Sequence, residues 1–219
     1  MQATDIFTWS DLQAFWDCPR AWAYGRMGWH PAAISDPIVR GSLVHWMVGR
    51  LLTNKVVLPE AYEGSGTPEQ IRYLWKESLD LTLRYQSKYG QEIKVDSYDK
   101  LTWFDPGKMG KAVGGHPDIV GWQKGKRTVI ELKTTAFMDL GLYELQGQVD
   151  FYALVVQDST GMTTERVCTD VISPEYITRV ERPPNIEKAS RYVYELGVLS
   201  TLTLREAMDN PHFGYRCHA

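Results

Sequence analysis

Two runs rich in β-branched and aromatic residues stand out in the middle of the chain, at 116–123 and 128–135. Their composition and their spacing of apolar positions are typical of β-strands. The residues between them, Lys124-Gly125-Lys126-Arg127, include a glycine that suits a tight two-residue turn. The pattern predicts a β-hairpin, with Gly125 and Lys126 as the two central residues of its turn.

The predicted turn brings three ionisable side chains together. It sets Val120 opposite Glu131 and Asp118 opposite Lys133. Because every second residue returns to the same face, the two carboxylates and the lysine converge at one end of one face. A hairpin with apolar residues on both faces is expected at the centre of a sheet. Those residues are Val120, Trp122 and Val129 on the acidic face, and Ile119, Ile130 and Leu132 on the other.

The rest of the chain predicts helices and strands on both sides of this hairpin. Apolar residues three and four positions apart follow Ser10, Ser35, Thr67 and Asn185, which are suitable helix-starting residues. Helices are predicted from 10, over 36–52, 68–89 and 142–157, and from 185 to about 209. Further strands are predicted over 93–95, 101–104, 165–172 and 176–181.

These elements predict an α/β fold with a mixed central β-sheet, the hairpin at its centre and helices on its flanks. A chain of 219 residues is long enough to form one domain with its own core. We expect a single domain over 1–219. Its parts would be an N-terminal helical part at 8–90, a core with the hairpin at 93–182, and C-terminal helices at 185–210.

The composition is that of a globular protein, with 43% hydrophobic and 12% aromatic residues. No apolar run is long enough to span a bilayer, and the N-terminus lacks the basic and apolar regions of a secretory signal. Three widely spaced cysteines suggest a reducing compartment, so we expect a cytoplasmic protein with no membrane partner. The net charge of −3 does not indicate a nucleic-acid partner, although a local basic patch and metal ions can still attract DNA.

The converging side chains of the hairpin have a chemical use. Asp118 and Glu131 can together hold Mg²⁺ or Mn²⁺, because these ions prefer oxygen ligands. A bound ion can acidify a water and stabilise charge on a phosphate under attack. Lys133 beside it can orient that water or neutralise the phosphate. The alternative is structural, since Asp118 and Lys133 could form a plain cross-strand ion pair.

The same residues also match a known motif. Pro117-Asp118 followed by Glu131-Leu132-Lys133 resembles the PD-(D/E)xK nuclease motif, which implies a restriction-endonuclease-like core. The surroundings resemble the RecB-like exonuclease branch, which includes CRISPR-adaptation nucleases and phage recombination exonucleases. The resemblance covers residues 8–157. It rests on the order and spacing of five segments, at 15–20, 41–45, 115–118, 131–133 and 148–152.

The resemblance extends the candidate site beyond the hairpin. It implies that His45 and the carbonyl of Leu132 assist the two carboxylates in holding the metal. It also implies that Gln148 and Tyr152 help to position the lysine or the DNA backbone. Gly41, one helical turn before His45, would let that helix approach closely. The plainer alternatives are that His45 is a core histidine and that Tyr152 belongs mostly to the core.

Cysteine content separates this chain from some of the relatives it resembles. They hold an iron–sulfur cluster with a cysteine at the position of Cys18 and three more near the C-terminus. This chain offers only Cys168 and Cys217 downstream, whereas such a cluster normally takes four cysteines. We therefore expect no iron–sulfur cluster and interpret Cys18 as a buried packing residue.

Together these features predict a divalent-metal-dependent DNA nuclease. No sequence-recognition domain is visible, so the sequence favours an exonuclease over a site-specific endonuclease. The resemblance alone implies DNA recombination, repair or phage DNA metabolism in a bacterial or phage-infected cell, with a single-strand-annealing recombination protein as a candidate partner. Two alternatives stay open, an endonuclease and a DNA-binding module or structural subunit that keeps this fold without catalysis. The sequence predicts neither oligomeric state, polarity nor strand preference.

Overall fold

The chain has a mixed α/β fold, which confirms the predicted fold class. The computed structural model describes residues 6–29, 33–107, 111–135 and 147–209. The helices are α1 (Trp9–Asp17), α2 (Pro19–Arg26), α3 (Asp36–Leu52), α4 (Pro68–Tyr89), α5 (Gln148–Thr160), α6 (Ile186–Thr201) and α7 (Leu204–Asp209). The strands are β1 (Ile6–Thr8), β2 (Ile93–Tyr98), β3 (Thr102–Phe104), β4 (Ala112–Gly115), β5 (Ile119–Gln123), β6 (Lys126–Thr134), β7 (Arg166–Ile172) and β8 (Ile177–Arg182).

The hairpin of β5 and β6 lies inside a five-stranded mixed sheet with the order β2-β5-β6-β7-β8. Strand β6 pairs in parallel with β7, and the other neighbours pair antiparallel. The apolar residues of the hairpin divide between its faces as predicted. Ile119, Ile130 and Leu132 pack in a cluster with α3 and α4, whereas Val120 and Val129 pack in a cluster with α5 and α6. Helices therefore cover both faces of the hairpin.

The turn of the hairpin differs from the prediction by one position. It consists of Lys124 and Gly125 rather than Gly125 and Lys126. Both turn residues have positive φ, 50° for Lys124 and 76° for Gly125, as a type I′ turn requires. Val120 consequently pairs with Val129.

The predicted cross-strand pairs are therefore wrong by two residues. Val120 does not face Glu131, and in the same register Asp118 does not face Lys133. A shift of two residues leaves every side chain on its original face, because the side-chain period of a strand is two. The predicted convergence of Asp118 and Glu131 on one face survives the error.

The glycine pair Gly114-Gly115 belongs to a second sheet and not to the hairpin. This sheet has three strands in the order β1-β4-β3, with β1 and β4 parallel and β3 and β4 antiparallel. The first hairpin strand is thus shorter than the predicted 116–123 and begins at Ile119. Pro117 has no N–H for a strand ladder, and the chain crosses between the two sheets at this point.

Helix starts agree with the sequence in most places. Helix α4 begins after a capping box at Thr67, as predicted. Helix α1 begins earlier than predicted, because Thr8 and Asp11 form its capping box and Ser10 lies inside the helix. The predicted start of the helix after the hairpin, at 142–146, and the predicted end of the C-terminal helical part at 210 lie outside the described residues.

Buried ion pairs tie the outer strands to the helices. Asp170 on β7 is fully buried and accepts two hydrogen bonds from Arg179 on β8, at 2.5 and 2.6 Å. The hydroxyl of Tyr85 on α4 donates to the same carboxylate at 2.7 Å. On the opposite face, Asp150 on α5 accepts from Arg182 on β8 at 2.5 and 2.8 Å. Removing one partner of a buried pair costs about 3–5 kcal/mol, so these contacts fix the layers.

Cys18 is partly exposed, which corrects its interpretation as a buried packing residue. Its Sγ accepts the backbone N–H of Ala21 at 3.4 Å and so caps α2. Cys168 is a free and buried thiol. Within the described residues, no helix combines the length and apolarity needed to cross a bilayer.

Candidate active site

Asp118 lies in the crossing between the two sheets, one residue before β5. Its Oδ2 accepts the backbone N–H of Leu132 on β6 at 2.7 Å, and its Oδ1 lies 3.1 Å from Nδ1 of His45 on α3. Burial alone would raise the pKa of this carboxyl, but His45 and the Leu132 N–H outweigh burial and hold the pKa below its usual value. Asp118 is thus a buried carboxylate with a partner on each oxygen.

Glu131 projects from β6 on the same face as Asp118 and is 5% exposed. Its Oε1 accepts from Nζ of Lys133 at 2.8 Å. Its Oε2 is buried and accepts no hydrogen bond from any described residue. Burial, and then the charge of Asp118, raise the pKa of Glu131 to about 8. A buried carboxylate oxygen without a hydrogen-bond partner destabilises the folded protein. The same oxygen is available as a ligand for a cation.

Lys133 connects the hairpin to α5. Its Nζ donates to Glu131 Oε1 and to Gln148 Oε1, both at 2.8 Å. The Gln148 amide donates from Nε2 to the Tyr152 hydroxyl, one helical turn along, at 3.2 Å. An ammonium group has three N–H donors, so the bonds to described residues leave one for a water or a phosphate oxygen. The alternative of a plain Asp118–Lys133 ion pair is wrong, because Lys133 pairs with Glu131.

Helix α3 carries His45 to the hairpin because it lies unusually close to β6. A Cβ added at Gly41 would lie 2.7 Å from Oγ1 of Thr134, so glycine permits this approach, as predicted. The hydroxyl of Tyr98 donates to the backbone carbonyl of His45. The ring of Tyr98 also fills the space that a side chain at Gly49 would need. These contacts fix the helix on the hairpin.

The His45 ring is partnered to Asp118. Burial alone would lower the pKa of His45, but the charge and hydrogen bond of Asp118 outweigh burial and raise it. The two facing atoms are 3.1 Å apart. Adjacent ligands of an octahedral Mg²⁺, each about 2.1 Å from the ion, also lie about 3 Å apart. A cation could therefore be held by both groups once the imidazole is neutral.

Tyr152 belongs both to the core and to the candidate site. Tyr152 is part of α5. Its ring packs in the apolar cluster that α5 and α6 form with the hairpin, and its hydroxyl accepts a hydrogen bond from Gln148. Burial, and then the charge of Glu131, raise the pKa of Tyr152 well above its usual value, so the hydroxyl stays neutral. A Cβ added at Gly115, at the end of β4, would lie 2.6 Å from the Tyr152 ring. The glycine therefore leaves the space that this ring occupies.

The structure brings all the residues of the predicted site together. One group is formed by His45, Asp118 and the backbone of Leu132, and the other by Glu131, Lys133, Gln148 and Tyr152. Besides burial, the charge of Asp118 raises the pKa of Glu131, and the charges of Glu131 and Asp118 raise the pKa of Tyr152, so the two groups are neighbours.

Nearly the whole sequence, and not only the site, matches a known nuclease family. A sequence model of the PD-(D/E)XK nuclease superfamily matches residues 6–216. This chain belongs to the PD-(D/E)XK nuclease superfamily. The sequence contains Pro117-Asp118 and Glu131-Leu132-Lys133, which resemble this motif. Membership supports nuclease activity and a nucleic-acid substrate.

Solved structures give a fold-level likeness to this PD-(D/E)XK chain. A candidate exonuclease from Eubacterium rectale is similar, with a TM-score of 0.62 and 14% identity, over 94% of this chain and 82% of that one. At this identity the likeness shows the fold alone. The structure of SSO0001 has a TM-score of 0.44 and 16% identity, over 91% and 78% of the two chains, which is too low to support an argument. Comparison with curated proteins gives no match.

The donor set of this PD-(D/E)XK site fits a divalent cation. Among the described residues, no group of three or more His, Cys, Asp or Glu side chains is already arranged around a metal position. The donors instead hold other protein groups, since His45 faces Asp118 and Lys133 faces Glu131. The Oε2 atom of Glu131 remains as a buried oxygen that a cation would satisfy.

Sequence patterns missed the residues that orient the site from outside it. Thr134 on β6 lies directly against Gly41 of α3, and Tyr98 on β2 donates to the carbonyl of His45; neither residue stands out by spacing or composition. Asp99 donates its backbone N–H to the carbonyl of Asp118 at 2.9 Å, and its carboxylate lies 3.2 Å from His116. Its positive φ of 44°, rare for a residue with a side chain, could not be read from the sequence.

Proposed function

We propose that this chain is a divalent-metal-dependent deoxyribonuclease that hydrolyses phosphodiester bonds in DNA. The observation that carries the proposal is the buried Oε2 of Glu131, which has no partner among the described residues and lies on the same face as Asp118, beside the ammonium group of Lys133. Native proteins rarely leave a buried polar atom without a partner, and a functional ligand is one reason to do so. The intact acidic and lysine positions favour an enzyme over a silent binding module.

The cation would be held by residues from three elements. Asp118 and Glu131 supply carboxylate oxygens, and His45 supplies a ring nitrogen. The carbonyl of Leu132 is a further ligand, because the N–H and C=O of a strand residue point the same way and its N–H already faces Asp118. When bound, Mg²⁺ or Mn²⁺ acidifies a water and stabilises charge on the phosphate under attack.

Lys133 orients the attacking water or neutralises the phosphate with its remaining N–H. Gln148 keeps the ammonium group in place from α5, and Tyr152 fixes the Gln148 amide. The amide orientation follows from charge, since the ammonium group can only donate and therefore requires the oxygen of Gln148. Gln148 and Tyr152 are thus positioning residues that act through Lys133.

Of the two cleavage modes, we favour exonuclease action, with endonuclease action as the second candidate. The Eubacterium rectale protein of similar fold is a candidate exonuclease, which supports this choice. On the resemblance alone, the setting is DNA recombination, repair or phage DNA metabolism in a bacterial or phage-infected cell. A single-strand-annealing recombination protein is the candidate partner on the same basis.

The direct test is incubation of the purified protein with a linear duplex and with the same DNA as a closed circle. Each DNA is incubated with Mg²⁺, with Mn²⁺ and with EDTA. We expect the linear DNA to be degraded only with a metal and the circle to persist. Cleavage of the circle would identify an endonuclease. Intact DNA under all conditions would refute the nuclease proposal and favour the binding module.

Matched variants connect that activity to the site. Glu131→Ala should lose metal binding and cleavage while the far-ultraviolet circular dichroism stays unchanged. Lys133→Ala should still bind metal but lose most of the cleavage rate. Glu175→Ala, at an exposed carboxylate outside the site, is the control and should cut normally. If both site variants cut DNA at the wild-type rate, the assignment is wrong.

A further inference from the structure

An open cleft of about 910 Å³ extends from the candidate site along α3. We call it the α3 cleft. His45 and Asp118 line it, so it opens directly onto the proposed metal site. Other lining residues come from the C-terminal half of α3, from the segment that follows it, and from the turn between β2 and β3. They include Trp46, Arg50, Lys55 and Lys100.

The acidic residues of the α3 cleft already have partners. Asp96 lies 3.2 Å from the guanidinium group of Arg127. The carboxylate of Asp99 lies 3.2 Å from Nδ1 of His116. Both carboxylates are therefore partly offset by a neighbouring donor, and they oppose an incoming anion less than free carboxylates would.

The lysines of the α3 cleft are available for a ligand. Lys55 and Lys100 are exposed, and within the described ranges neither ammonium group forms an ion pair with a carboxylate. Arg50 adds a third positive charge, although its Nε already donates to the carbonyl of Val56 at 2.7 Å. These three positive charges lie beside the candidate site, in a cleft that also contains the carboxylates of Asp96, Asp99 and Asp118. Exposed lysine and arginine side chains along a cleft are the usual phosphate contacts of nucleic-acid-binding proteins.

The aromatic residues of the α3 cleft are already packed. The ring of Trp46 contacts the ring of Tyr62 at a centroid distance of 5.4 Å and that of Trp75 at 6.1 Å. The guanidinium group of Arg50 lies 5.2 Å from the centroid of the same ring. Because these rings are engaged with each other, the cleft favours contact with a charged backbone over stacking with bases.

We infer that the α3 cleft binds the sugar–phosphate backbone of one DNA strand next to the scissile phosphate, with Lys55 and Lys100 contacting its phosphates. The inference rests on the proposed nuclease function for the place of the scissile phosphate. The volume lies within the range of small-ligand pockets, about 300–1,000 Å³, which leaves room for a few nucleotides of one strand and not for a duplex. Binding through phosphates is independent of base sequence.

The test is the salt dependence of single-strand binding in EDTA, where cleavage is blocked. The probe is an end-labelled oligothymidylate, and binding is followed by fluorescence anisotropy over a range of salt concentrations. Each phosphate contact contributes about 0.7 to the slope of log affinity against log salt for a single strand. We expect Lys55→Ala and Lys100→Ala each to lower the slope by about 0.7, and the double variant to lower it by about 1.4.

Control variants and a duplex competitor make the result decisive. Lys76→Ala and Lys126→Ala remove the same charge from exposed lysines outside the cleft and should leave the slope unchanged. A blunt duplex of equal length should compete less well than an unlabelled single strand. The inference is overturned if the double variant keeps the wild-type slope, or if it loses duplex binding as strongly as single-strand binding.

Failure of this inference can be told from failure of the nuclease proposal. Binding is measured without metal, so the slopes do not depend on cleavage. A wild-type protein that cuts no DNA but shows the expected slopes would refute the nuclease and support the cleft. A protein that cuts DNA with unchanged slopes in the lysine variants would support the nuclease and refute the cleft.

Discussion

Gln148 on α5 and Lys133 on β6 are joined by a hydrogen bond of 2.8 Å between the amide oxygen and the ammonium group. The bond places the only positive charge of the described hairpin end under the control of α5, the helix that covers the same face of the hairpin. Because Glu131 accepts from the same ammonium group, Gln148 prevents Lys133 from folding entirely onto that carboxylate. The two partners together define where the third N–H points.

We therefore expect Gln148→Ala to slow DNA cleavage by about 10–100-fold, the usual cost of losing a group that orients a site residue. Metal affinity should stay within a few-fold of wild type, since Gln148 is not a proposed ligand. Single-turnover cleavage measures the first quantity and Mn²⁺ calorimetry the second. Gln157→Ala, on the same helix but outside the site, is the control. A loss of metal affinity as large as the loss of rate would contradict the positioning role.

The raised pKa of Glu131 predicts a pH-dependent stability of the metal-free protein. The pKa is about 8 in the folded state against an ordinary value of 4.5, so the folded state binds the proton more tightly than the unfolded state. This contribution to stability is fully present below pH 4.5 and is lost as the pH rises through about 8. One proton difference corresponds to at most about 1.4 kcal/mol per pH unit.

Urea unfolding in EDTA, at pH values below, within and above that window, tests this expectation. Glu131→Gln has no titrating group at this position and is the matched control. Its free energy of unfolding should fall less with rising pH than that of the wild type. Saturating Mn²⁺ should remove most of the wild-type decline, because a cation stabilises the ionised carboxylate. Parallel pH profiles for wild type and Glu131→Gln would show that Glu131 ionises normally.

Gly41→Ala should damage the site through packing, although alanine is the better helix former by about 1 kcal/mol. The added Cβ would lie 2.7 Å from Oγ1 of Thr134, and overpacking of this kind typically costs about 1–3 kcal/mol. Displacement of α3 would also move His45 away from Asp118. We expect a lower melting temperature and weaker Mn²⁺ binding, measured by differential scanning calorimetry and titration calorimetry.

Thr134→Ala should rescue this variant. The Cβ of Thr134 lies 4.0 Å from the added Cβ, which is an ordinary contact, so the double variant removes the clash. Gly25→Ala in α2 is the control for helix propensity, because a Cβ there meets nothing within 4 Å. A double variant as damaged as Gly41→Ala would mean that the close approach to Thr134 is not the cause.

His45→Ala should weaken Mn²⁺ binding by about 10–100-fold without abolishing it, since both carboxylates remain. Nitrogen is a softer ligand than oxygen, so the wild type should work at least as well with Mn²⁺ as with Mg²⁺. Titration calorimetry and DNA cleavage measure both effects. His116→Ala is the matched control, because its ring faces Asp99 rather than Asp118. Unchanged affinity and rate in His45→Ala would return this histidine to a packing role.

The hairpin shows what local sequence could predict. The spacing of apolar residues set Ile119 and Val120 on their correct faces, because the period of a strand is a local property. The register failed because it depends on which residue accepts positive φ. Lys124 adopts a φ of 50°, which is uncommon for a residue with a side chain, and its position cannot be distinguished from that of Lys126 by composition.

Contacts between distant elements account for what the sequence could not predict. His45 and Asp118 are 73 residues apart, and their 3.1 Å contact depends on how α3 crosses β6. The pattern around His45 alone favours a core histidine, and the resemblance was what pointed to a metal ligand. The glycine at 41 predicted a close approach, but the partner Thr134 became visible only in the fold. The resemblance to a known motif supplied the link that periodicity lacks.

The turn at Lys124 and Gly125 has a practical consequence for engineering. Both residues are exposed, and the space around Gly125 is open. The turn lies at the opposite end of the hairpin from Asp118 and Glu131, so an epitope or fluorophore built in there leaves the carboxylates facing each other. A single residue inserted within one strand has the opposite effect, because it moves that strand's side chains to the other face. On this hairpin, the turn that accepts an insertion is therefore only a few residues away from strand positions that do not.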